Sequence, residues 1–278
     1  MTTFVTGGTG KTGGALARLL YRNNHSVLVA SRSGIAPSSL RAVVFDWFDP
    51  STFENPFKAA QDIDKIYLVA PPVFDSLPIV MPFIDYTISK GVKRFIHGSF
   101  SAMDKGDITD GKIHEYLVDS GVDYAIIRPT WFIDNFGTFY LSSIRDNNEI
   151  PSVAEDGRVA FVSVKDISQA ACDAIVSPES WNSEVFVVGP KLYSYDEVAN
   201  LLTNVLGKKI THRRLMHEES RAFWEKFGLA PNYTAMLTEM EAKIADGYEE
   251  NIIRSSNVLT GKCTLEDYLL ENKDLWIK

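Results

Sequence analysis

Short apolar runs alternate with amphipathic stretches along the first half of the chain. The runs that predict β-strands are residues 4–6, 27–30, 43–45, 66–70, 94–99 and 124–129. Several of them are continuously apolar, which is typical of strands buried on both faces of a parallel sheet. Helical stretches at 15–20 and 84–88 lie between strands, and Gly91 is placed to end the second of them. The alternation predicts an α/β fold with a doubly wound parallel sheet.

After about residue 130 the pattern becomes looser. A late strand is predicted at 184–188, and helices are predicted at 195–206, 218–227 and 233–246. We therefore expect the sheet domain to occupy residues 1–130, with sheet elements returning at about 158–190. The remainder, 131–278, is expected to form mainly a smaller, mostly helical lobe that binds substrate.

A glycine-rich turn follows the first apolar run directly. Glycine at positions 7, 10 and 13 permits positive φ and lets backbone N–H groups approach a pyrophosphate at the start of a helix. A helical stretch and a second strand follow at the distances of a βαβ unit. The alternative, a nucleotide-triphosphate loop, requires glycine five positions before Gly10, where the chain has Val5. The turn therefore predicts a Rossmann-like, dinucleotide-binding domain.

The end of the second strand indicates which dinucleotide binds. An NAD site usually carries Asp or Glu there, about 20 residues after the glycines, whereas this chain has Ser31 and Arg32. A guanidinium flanked by hydroxyls suits a 2′-phosphate, which a carboxylate would repel. We expect NADP(H) rather than NAD(H). The alternative is that Arg32 is a solvated surface charge.

Composition limits the other classes of function. The chain has 278 residues, is 45% hydrophobic and carries a net charge of −8, which argues against nucleic acid as a partner. It shows no charged leader with an apolar core and no 18-residue apolar run, so we expect a cytoplasmic protein without a membrane partner. Cys172 and Cys263 lie far apart without metal-binding spacing, and we expect reduced thiols and no metal site.

A resemblance to a known family rests on seven segments of the chain: residues 7–13, 29–33, 45–47, 91–96, 128–132, 161–167 and 194–198. In these segments the sequence resembles the NmrA-like branch of the atypical short-chain dehydrogenase/reductases. Residues 111–114, 128–132 together with 135–136, and 206–212 further resemble the fungal festuclavine and agroclavine dehydrogenases of ergot alkaloid biosynthesis. The resemblance spans about residues 2–212.

The resemblance implies a set of cofactor contacts. It assigns to the pyrophosphate Gly7, Thr9, Gly10, Lys11, Thr12 and Gly13. It places Ser31 and Arg32 at the 2′-phosphate, Asp46 and Trp47 at the adenine, and Ala70, Pro71 and Pro72 under the adenosine ribose. Ser99, Lys112 and Pro129 would lie near the nicotinamide. These positions follow predicted strands, and doubly wound sheets bind ligands at the carboxyl ends of their strands. The alternatives are that the prolines only end a strand and that Trp47 is a core residue.

A catalytic group of related enzymes is absent. Ketone reductases of the superfamily that the chain resembles carry a tyrosine four residues before a lysine, and the phenol protonates the developing alkoxide. If Lys112 is that lysine, the tyrosine position holds Ile108. Hydride addition to a carbonyl generates an oxyanion that needs a proton donor, whereas addition to an iminium carbon gives a neutral amine. The chain is therefore better suited to C=N⁺ than to C=O, although Tyr116 or a water could replace the missing phenol.

Aromatic side chains crowd the segment after the sixth strand. Those expected to contact an indole substrate are Trp131, Phe132, Phe136 and, on a later helix, Trp224. The alternative for each is ordinary core packing. Asp104 and Asp134 are candidate carboxylates for holding a cationic nitrogen or moving a proton, with exposed loop charges as the alternative.

We therefore expect an NADPH-dependent reductase of a cyclic iminium in fungal indole-alkaloid metabolism. Lys112 would orient the nicotinamide ribose, and Trp131 and Phe132 would form the substrate pocket. A second hypothesis is a redox-neutral cyclase of the Pictet–Spengler type, in which NADP(H) is not consumed and Asp104 or Asp134 moves protons. A third is a regulatory protein that senses the dinucleotide without catalysis.

Overall fold

The computed structural model describes residues 1–37 and 40–277. The strands are β1 (Thr2–Val5), β2 (Ser26–Ser31), β3 (Arg41–Val44), β4 (Ile63–Leu68), β5 (Arg94–Gly98), β6 (Asp123–Pro129), β7 (Glu149–Ser152), β8 (Arg158–Val159), β9 (Ser183–Val188), β10 (Tyr193–Ser194), β11 (Thr211–Arg214) and β12 (Val258–Thr260). The helices are α1 (Lys11–Arg22), α2 (Asn55–Ala59), α3 (Leu77–Ser89), α4 (Asp110–Asp119), α5 (Val164–Val176), α6 (Tyr195–Leu206), α7 (His217–Glu225), α8 (Pro231–Ala242), α9 (Tyr248–Ile252) and α10 (Leu265–Glu271). No helix in these ranges is long and apolar enough to cross a membrane.

Eight strands form one parallel sheet in the order β3-β2-β1-β4-β5-β6-β9-β12. The chain moves outwards from β1 to β3 and then returns to β4 on the other side of β1, which creates a topological switch point between β1 and β4. Parallel neighbours need crossover connections. Helix α1 connects β1 to β2, α2 connects β3 to β4, α3 connects β4 to β5, and α4 connects β5 to β6. The predicted doubly wound, Rossmann-like sheet is confirmed.

The chain divides into two compact units. The first contains residues 1–128 and 167–185, and the second contains residues 129–166 and the chain from 186 onwards. The core of the first unit contains Phe4, Ile66, Phe83 and Phe95, all fully buried. Helix α1 packs against the rest of that unit. Its buried residues lie on one side of the helix and include Gly13, Leu16, Ala17 and Leu20.

The second unit has its own aromatic core, and its regular structure is mainly helical. Besides its helices it contains two small sheets, in which β7 pairs with β11 and β8 pairs with β10. Residues 158–159 therefore do not return to the main sheet, although 183–188 do. Helix α6 has the predicted bounds because both ends carry their signals: Ser194 and Glu197 form a capping box, and Gly207 takes positive φ after the last residue.

Several predicted elements have different bounds in the structure. The helix predicted at 84–88 runs from Leu77 to Ser89. Pro78 lies in its first turn, where N–H groups have no helical partner to lose, whereas Pro82 lies inside the helix. The strand predicted at 66–70 is Ile63–Leu68, because Pro71 ends the extended run early. Helix α5 was not predicted.

Candidate functional site

The turn after β1 has a geometry that requires glycine. Gly7 has a φ of +60°, and its carbonyl oxygen accepts a hydrogen bond of 2.8 Å from the N–H of Gly10. A Cβ at Gly13 would lie 2.4 Å from the carbonyl oxygen of Gly7, and a Cβ at Gly8 would lie 2.5 Å from the side chain of Val29. The backbone of the first turn of α1 therefore packs directly against the end of β1, as a pyrophosphate-binding turn requires.

The start of α1 also suits an anion. Its N-cap is Gly10, no side chain caps the helix, and no acidic residue lies in the first turn. The positive end of the helix dipole is thus not neutralised by the chain itself. Thr9 and Gly10 are exposed, and Lys11 and Thr12 are half-buried. A turn of this shape and charge fits the pyrophosphate of a dinucleotide.

Arg32 follows the last residue of β2 and is exposed. The buried hydroxyl of Ser31 lies 3.1 Å from that of Ser33, which in turn accepts a hydrogen bond from the N–H of Ile35. Within residues 1–37 and 40–277, no carboxylate pairs with the Arg32 guanidinium. The end of β2 therefore presents one cation and two hydroxyls, a donor set that suits a phosphate.

The residues predicted to lie near the adenosine follow β3 and β4. Asp46 accepts a hydrogen bond of 3.0 Å from the N–H of Phe48, and Trp47 packs edge-on against Phe45 and Phe83 at centroid distances of 4.9 and 5.5 Å. Trp47 is half-buried, so it is both a boundary residue of the core and a surface on which a base can pack.

The turn after β4 lies beside the switch point. Pro71 is buried, Ala70 is half-buried and Pro72 is exposed. The carbonyl oxygen of Pro71 accepts a hydrogen bond of 2.8 Å from the N–H of Val73, which closes a tight turn. The position is the one that the switch-point rule assigns to a bound ligand.

Lys112 lies in the first turn of α4, and its Nζ is 3.3 Å from Oδ1 of Asp75, in the loop that joins β4 to α3. Ile108 does not share that helix, because α4 begins at Asp110. The position of the missing tyrosine is thus a loop residue. Tyr116 is on α4 but donates a hydrogen bond to Asp85, and this bond raises the pKa of the phenol.

Asp104 is held by a buried arginine. Its Oδ1 lies 2.7 Å from Nη2 of Arg128, whose Nη1 is 2.6 Å from Oε2 of Glu184. Arg128 also donates to the carbonyl oxygens of Phe100 and Ser101, at 3.3 and 2.5 Å. Arg128 therefore holds the segment that follows β5 in place by hydrogen bonds, and Asp104 is one of its counter-ions.

Three other predicted residues lie at the ends of secondary-structure elements. Ser99 is buried directly after β5, and Pro129 is the buried last residue of β6. Asp134 accepts a hydrogen bond of 2.9 Å from the N–H of Val164, the first residue of α5. An oxygen that receives this N–H satisfies a free donor at a helix start, so the contact made by Asp134 is a cap.

The predicted aromatic contacts separate into two groups. Phe136 and Trp224 are 0% and 2% exposed inside the core of the second unit, so neither ring has surface available to a substrate. Trp131 and Phe132 are half-buried, and Trp131 packs against Trp224 at a centroid distance of 6.2 Å. Phe136 is buried whereas Phe132 is not, because Ile133 and Phe136 are three residues apart in the short helical segment after Phe132 and both face the core.

Sequence reasoning missed a buried polar cluster in the first unit. His97 and His114 are buried with Asp110, and His114 Nδ1 lies 3.8 Å from Oε2 of Glu184. Burial lowers the pKa of His114 to about 4, so the ring is neutral near pH 7. The available signal was weak: Asp110 and His114 are four residues apart, which places them on one face of α4.

Comparison with known proteins shows which family and fold this chain resembles. A sequence model of the NmrA-like family matches residues 1–269. Agroclavine dehydrogenase of Claviceps fusiformis is 37% identical over 100% of this chain and 99% of its own length. Festuclavine synthase I of Penicillium roqueforti is 36% identical over 94% of each chain. An NADPH-dependent quinone oxidoreductase of Escherichia coli, solved in complex with NADPH, shares the fold with a TM-score of 0.76 at 19% identity, over 97% of this chain and 99% of that one.

Proposed function

This chain belongs to the NmrA-like family, and from that premise we propose that it is an NADPH-dependent reductase of a cyclic iminium in an indole-alkaloid intermediate. The relatives named as clavine dehydrogenases support an alkaloid substrate and an oxidoreductase. The choice of a C=N⁺ bond comes from the chain's own residues.

One observation carries the proposal: the chain keeps a dinucleotide-binding turn and a lysine on α4 but has Ile108 where a ketone reductase needs a phenol. Tyr116, the nearest tyrosine on α4, has its hydroxyl engaged by Asp85. A carbonyl would gain an oxyanion on reduction and require a donor. An iminium carbon becomes part of a neutral amine and requires none.

The chain's residues would hold the cofactor in three places. The turn of Gly7 to Gly13 would bind the pyrophosphate, Arg32 would bind the 2′-phosphate, and Lys112 would exchange its contact with Asp75 for the ribose next to the nicotinamide. The chemistry that bound NADPH supplies is a hydride from its nicotinamide. The contribution of the protein is mainly orientation, which converts an encounter of two molecules into a reaction within one complex.

Trp131 and Phe132 would bind the substrate. Both rings are half-buried, so each is held by packing and keeps one surface available. The negative face of an aromatic ring attracts a cation, and an indole stacks on such a ring. These two side chains therefore suit a substrate that combines an indole with a positively charged nitrogen.

The test supplies the purified protein with a cyclic indole iminium and NADPH in which both hydrogens at nicotinamide C4 are deuterium. We expect loss of NADPH absorbance and an amine product that carries one deuterium. Ile108→Tyr is the matched variant, and its rate with the iminium should stay within about twofold because no proton donor is needed.

Two other outcomes would contradict the proposal. A cyclised product formed while NADPH is not consumed would identify a redox-neutral cyclase. The structure offers little support for that reaction, since Asp104 pairs with Arg128 and Asp134 caps α5. Tight dinucleotide binding without turnover of the iminium or of its amino-aldehyde precursor would identify a sensor.

A further inference from the structure

A buried histidine and a buried carboxylate meet where β5 faces the start of α4. Nε2 of His97 lies 3.1 Å from Oδ1 of Asp110, and His97 is 0% exposed. The other ring nitrogen, Nδ1, lies 3.1 Å from the carbonyl oxygen of Leu68, at the end of β4. The imidazole thus connects the ends of two central strands to the first residue of α4.

The two polar groups are buried facing each other. A carbonyl oxygen only accepts hydrogen bonds, so Nδ1 of His97 carries the hydrogen that faces Leu68. Nε2 makes no hydrogen bond among the described residues, and it attracts the Asp110 carboxylate as an ion pair when it carries a hydrogen as well. A carboxylate removed from water is unfavourable unless a polar partner faces it. The side chain of Asp110 is only 9% exposed. The ion pair with His97 is therefore a contact that can offset the burial of its charge.

The residues before Asp110 need to be held in place. Thr109 is a buried, non-glycine residue with φ of +69° and ψ of −117°, a conformation that L-residues rarely adopt. The segment before it is closed on itself, since the N–H of Gly106 donates to the carbonyl oxygen of Gly111 at 2.8 Å. A strained backbone conformation persists only where surrounding contacts hold it. The contact next to Thr109 in the chain is the one between Asp110 and His97.

Helix α4 carries Lys112 two residues after Asp110, on another side of the helix. We propose that the contact between His97 and Asp110 is a positioning device, which fixes the start of α4 so that Lys112 can reach the dinucleotide. The inference rests on the role proposed for Lys112. His97 and Asp110 act through that lysine and do not contact the cofactor.

The test measures NADPH affinity by calorimetry, without any substrate. In His97→Asn the side-chain amide replaces Nδ1, so the contact with Leu68 is kept and the one with Asp110 is lost. In His97→Gln the amide nitrogen takes the place of Nε2, so the contact with Asp110 is kept. We expect His97→Asn to raise the NADPH Kd about tenfold and His97→Gln to restore it to within about threefold of the parent.

A double-mutant cycle with Lys112→Ala separates positioning from general loss of structure. We expect Lys112→Ala and His97→Asn each to weaken NADPH binding, and the double variant to bind no more weakly than Lys112→Ala alone. His114→Asn, which alters another buried histidine of the same cluster, is the matched control and should leave the Kd within about twofold.

Additive effects in the cycle, an equal effect of His114→Asn, or no effect of Lys112→Ala on NADPH affinity would each overturn the inference. Thermal unfolding of each variant identifies any that fails to fold, and Asp110→Asn then replaces His97→Asn in the cycle. Failure of the proposed function looks different, because the iminium would then not be reduced although NADPH binding and the cycle behave as expected.

Discussion

Nη2 of Arg128 lies 2.7 Å from Oδ1 of Asp104, and the two residues differ greatly in exposure: the arginine side chain is 2% exposed and the aspartate side chain 70%. The arginine is held from several sides, by Glu184 and by the carbonyl oxygens of Phe100 and Ser101. The arginine is thus part of the protein interior, and Asp104 is a counter-ion at its outer edge. This arrangement disfavours Asp104 as a proton-transferring base.

Asp104→Asn tests that interpretation. Because the amide still accepts a hydrogen bond from Arg128 and the site is exposed, we expect a loss of about 1 kcal/mol or less in the free energy of unfolding. The kcat for iminium reduction should stay within about threefold of the parent. Urea unfolding and steady-state kinetics measure the two effects. A hundredfold fall in kcat with unchanged stability would restore Asp104 as a catalytic group.

Arg128→Met provides the contrasting variant. It removes the hydrogen bonds that Arg128 donates to Glu184 and to the carbonyl oxygens of Phe100 and Ser101, and we expect a loss of about 3–5 kcal/mol in the free energy of unfolding, measured by urea unfolding. A loss no larger than that of Asp104→Asn would show that Arg128 is not part of the interior's support.

Gly13→Ala tests the turn. An added Cβ would lie 2.4 Å from the carbonyl oxygen of Gly7, so the turn has to open for the methyl group to fit. We expect the affinity for NADPH to fall at least about tenfold. Gly14→Ala is the neighbouring control, because its Cβ would meet the carbonyl oxygen of Gly8 at 3.2 Å, a contact that a small shift relieves. Equal losses in both variants would indicate a general effect on α1 rather than on the turn.

Arg32→Ala tests the preference for the phosphorylated dinucleotide. A charge-assisted hydrogen bond contributes about 1.5–3 kcal/mol, so we expect NADPH to bind roughly 10- to 100-fold more weakly while NADH binding changes little. Calorimetry with both dinucleotides provides the ratio. Arg18→Ala removes another exposed arginine and should leave the ratio unchanged. If Arg32→Ala weakens both dinucleotides equally, the guanidinium does not recognise the 2′-phosphate.

The sequence was sufficient for the sheet and for the glycine turn after β1 because both depend on local signals. Continuous apolar runs indicate buried parallel strands, and the glycines after β1 are required by contacts within a few residues of one another, such as Gly13 with Gly7. The capping signals around α6 were equally local: Ser194, Glu197 and Gly207 set its bounds.

The pattern of hydrophobic and polar residues does not reveal contacts between residues that are far apart in the chain. Asp134 looks like a loop carboxylate in the sequence, and only the structure shows that it caps α5, thirty residues later in the chain. Phe136 and Trp224 are aromatic residues of the kind that often form a binding surface, but the fold places both in the core of the second unit. His97 and Asp110 are buried together because β5 and α4 pack against each other, and a single sequence contains no signal for that pairing.

The second unit contains a carboxyl group that should make stability depend on pH. Glu241 is 1% exposed in a core of aromatic rings, where it accepts hydrogen bonds from the hydroxyl of Tyr140 at 3.0 Å and the N–H of Val153 at 3.3 Å. Burial raises the pKa of Glu241 to about 7, while these bonds lower it. The folded protein therefore holds a proton that the unfolded chain releases near pH 4.5.

The sign follows from the proton count. Between about pH 4.5 and pH 7 the folded state binds more protons than the unfolded state, so the free energy of unfolding falls as the pH rises through this window. The difference corresponds to on the order of 3 kcal/mol, all of it lost above pH 7. Glu241→Gln cannot ionise, so we expect it to unfold at a higher temperature than the parent at pH 8 and at a similar one at pH 5. Glu239→Gln, an exposed change on the same helix α8, is the control for charge alone. Parallel pH profiles for the parent and Glu241→Gln would show that this carboxyl group does not titrate with folding.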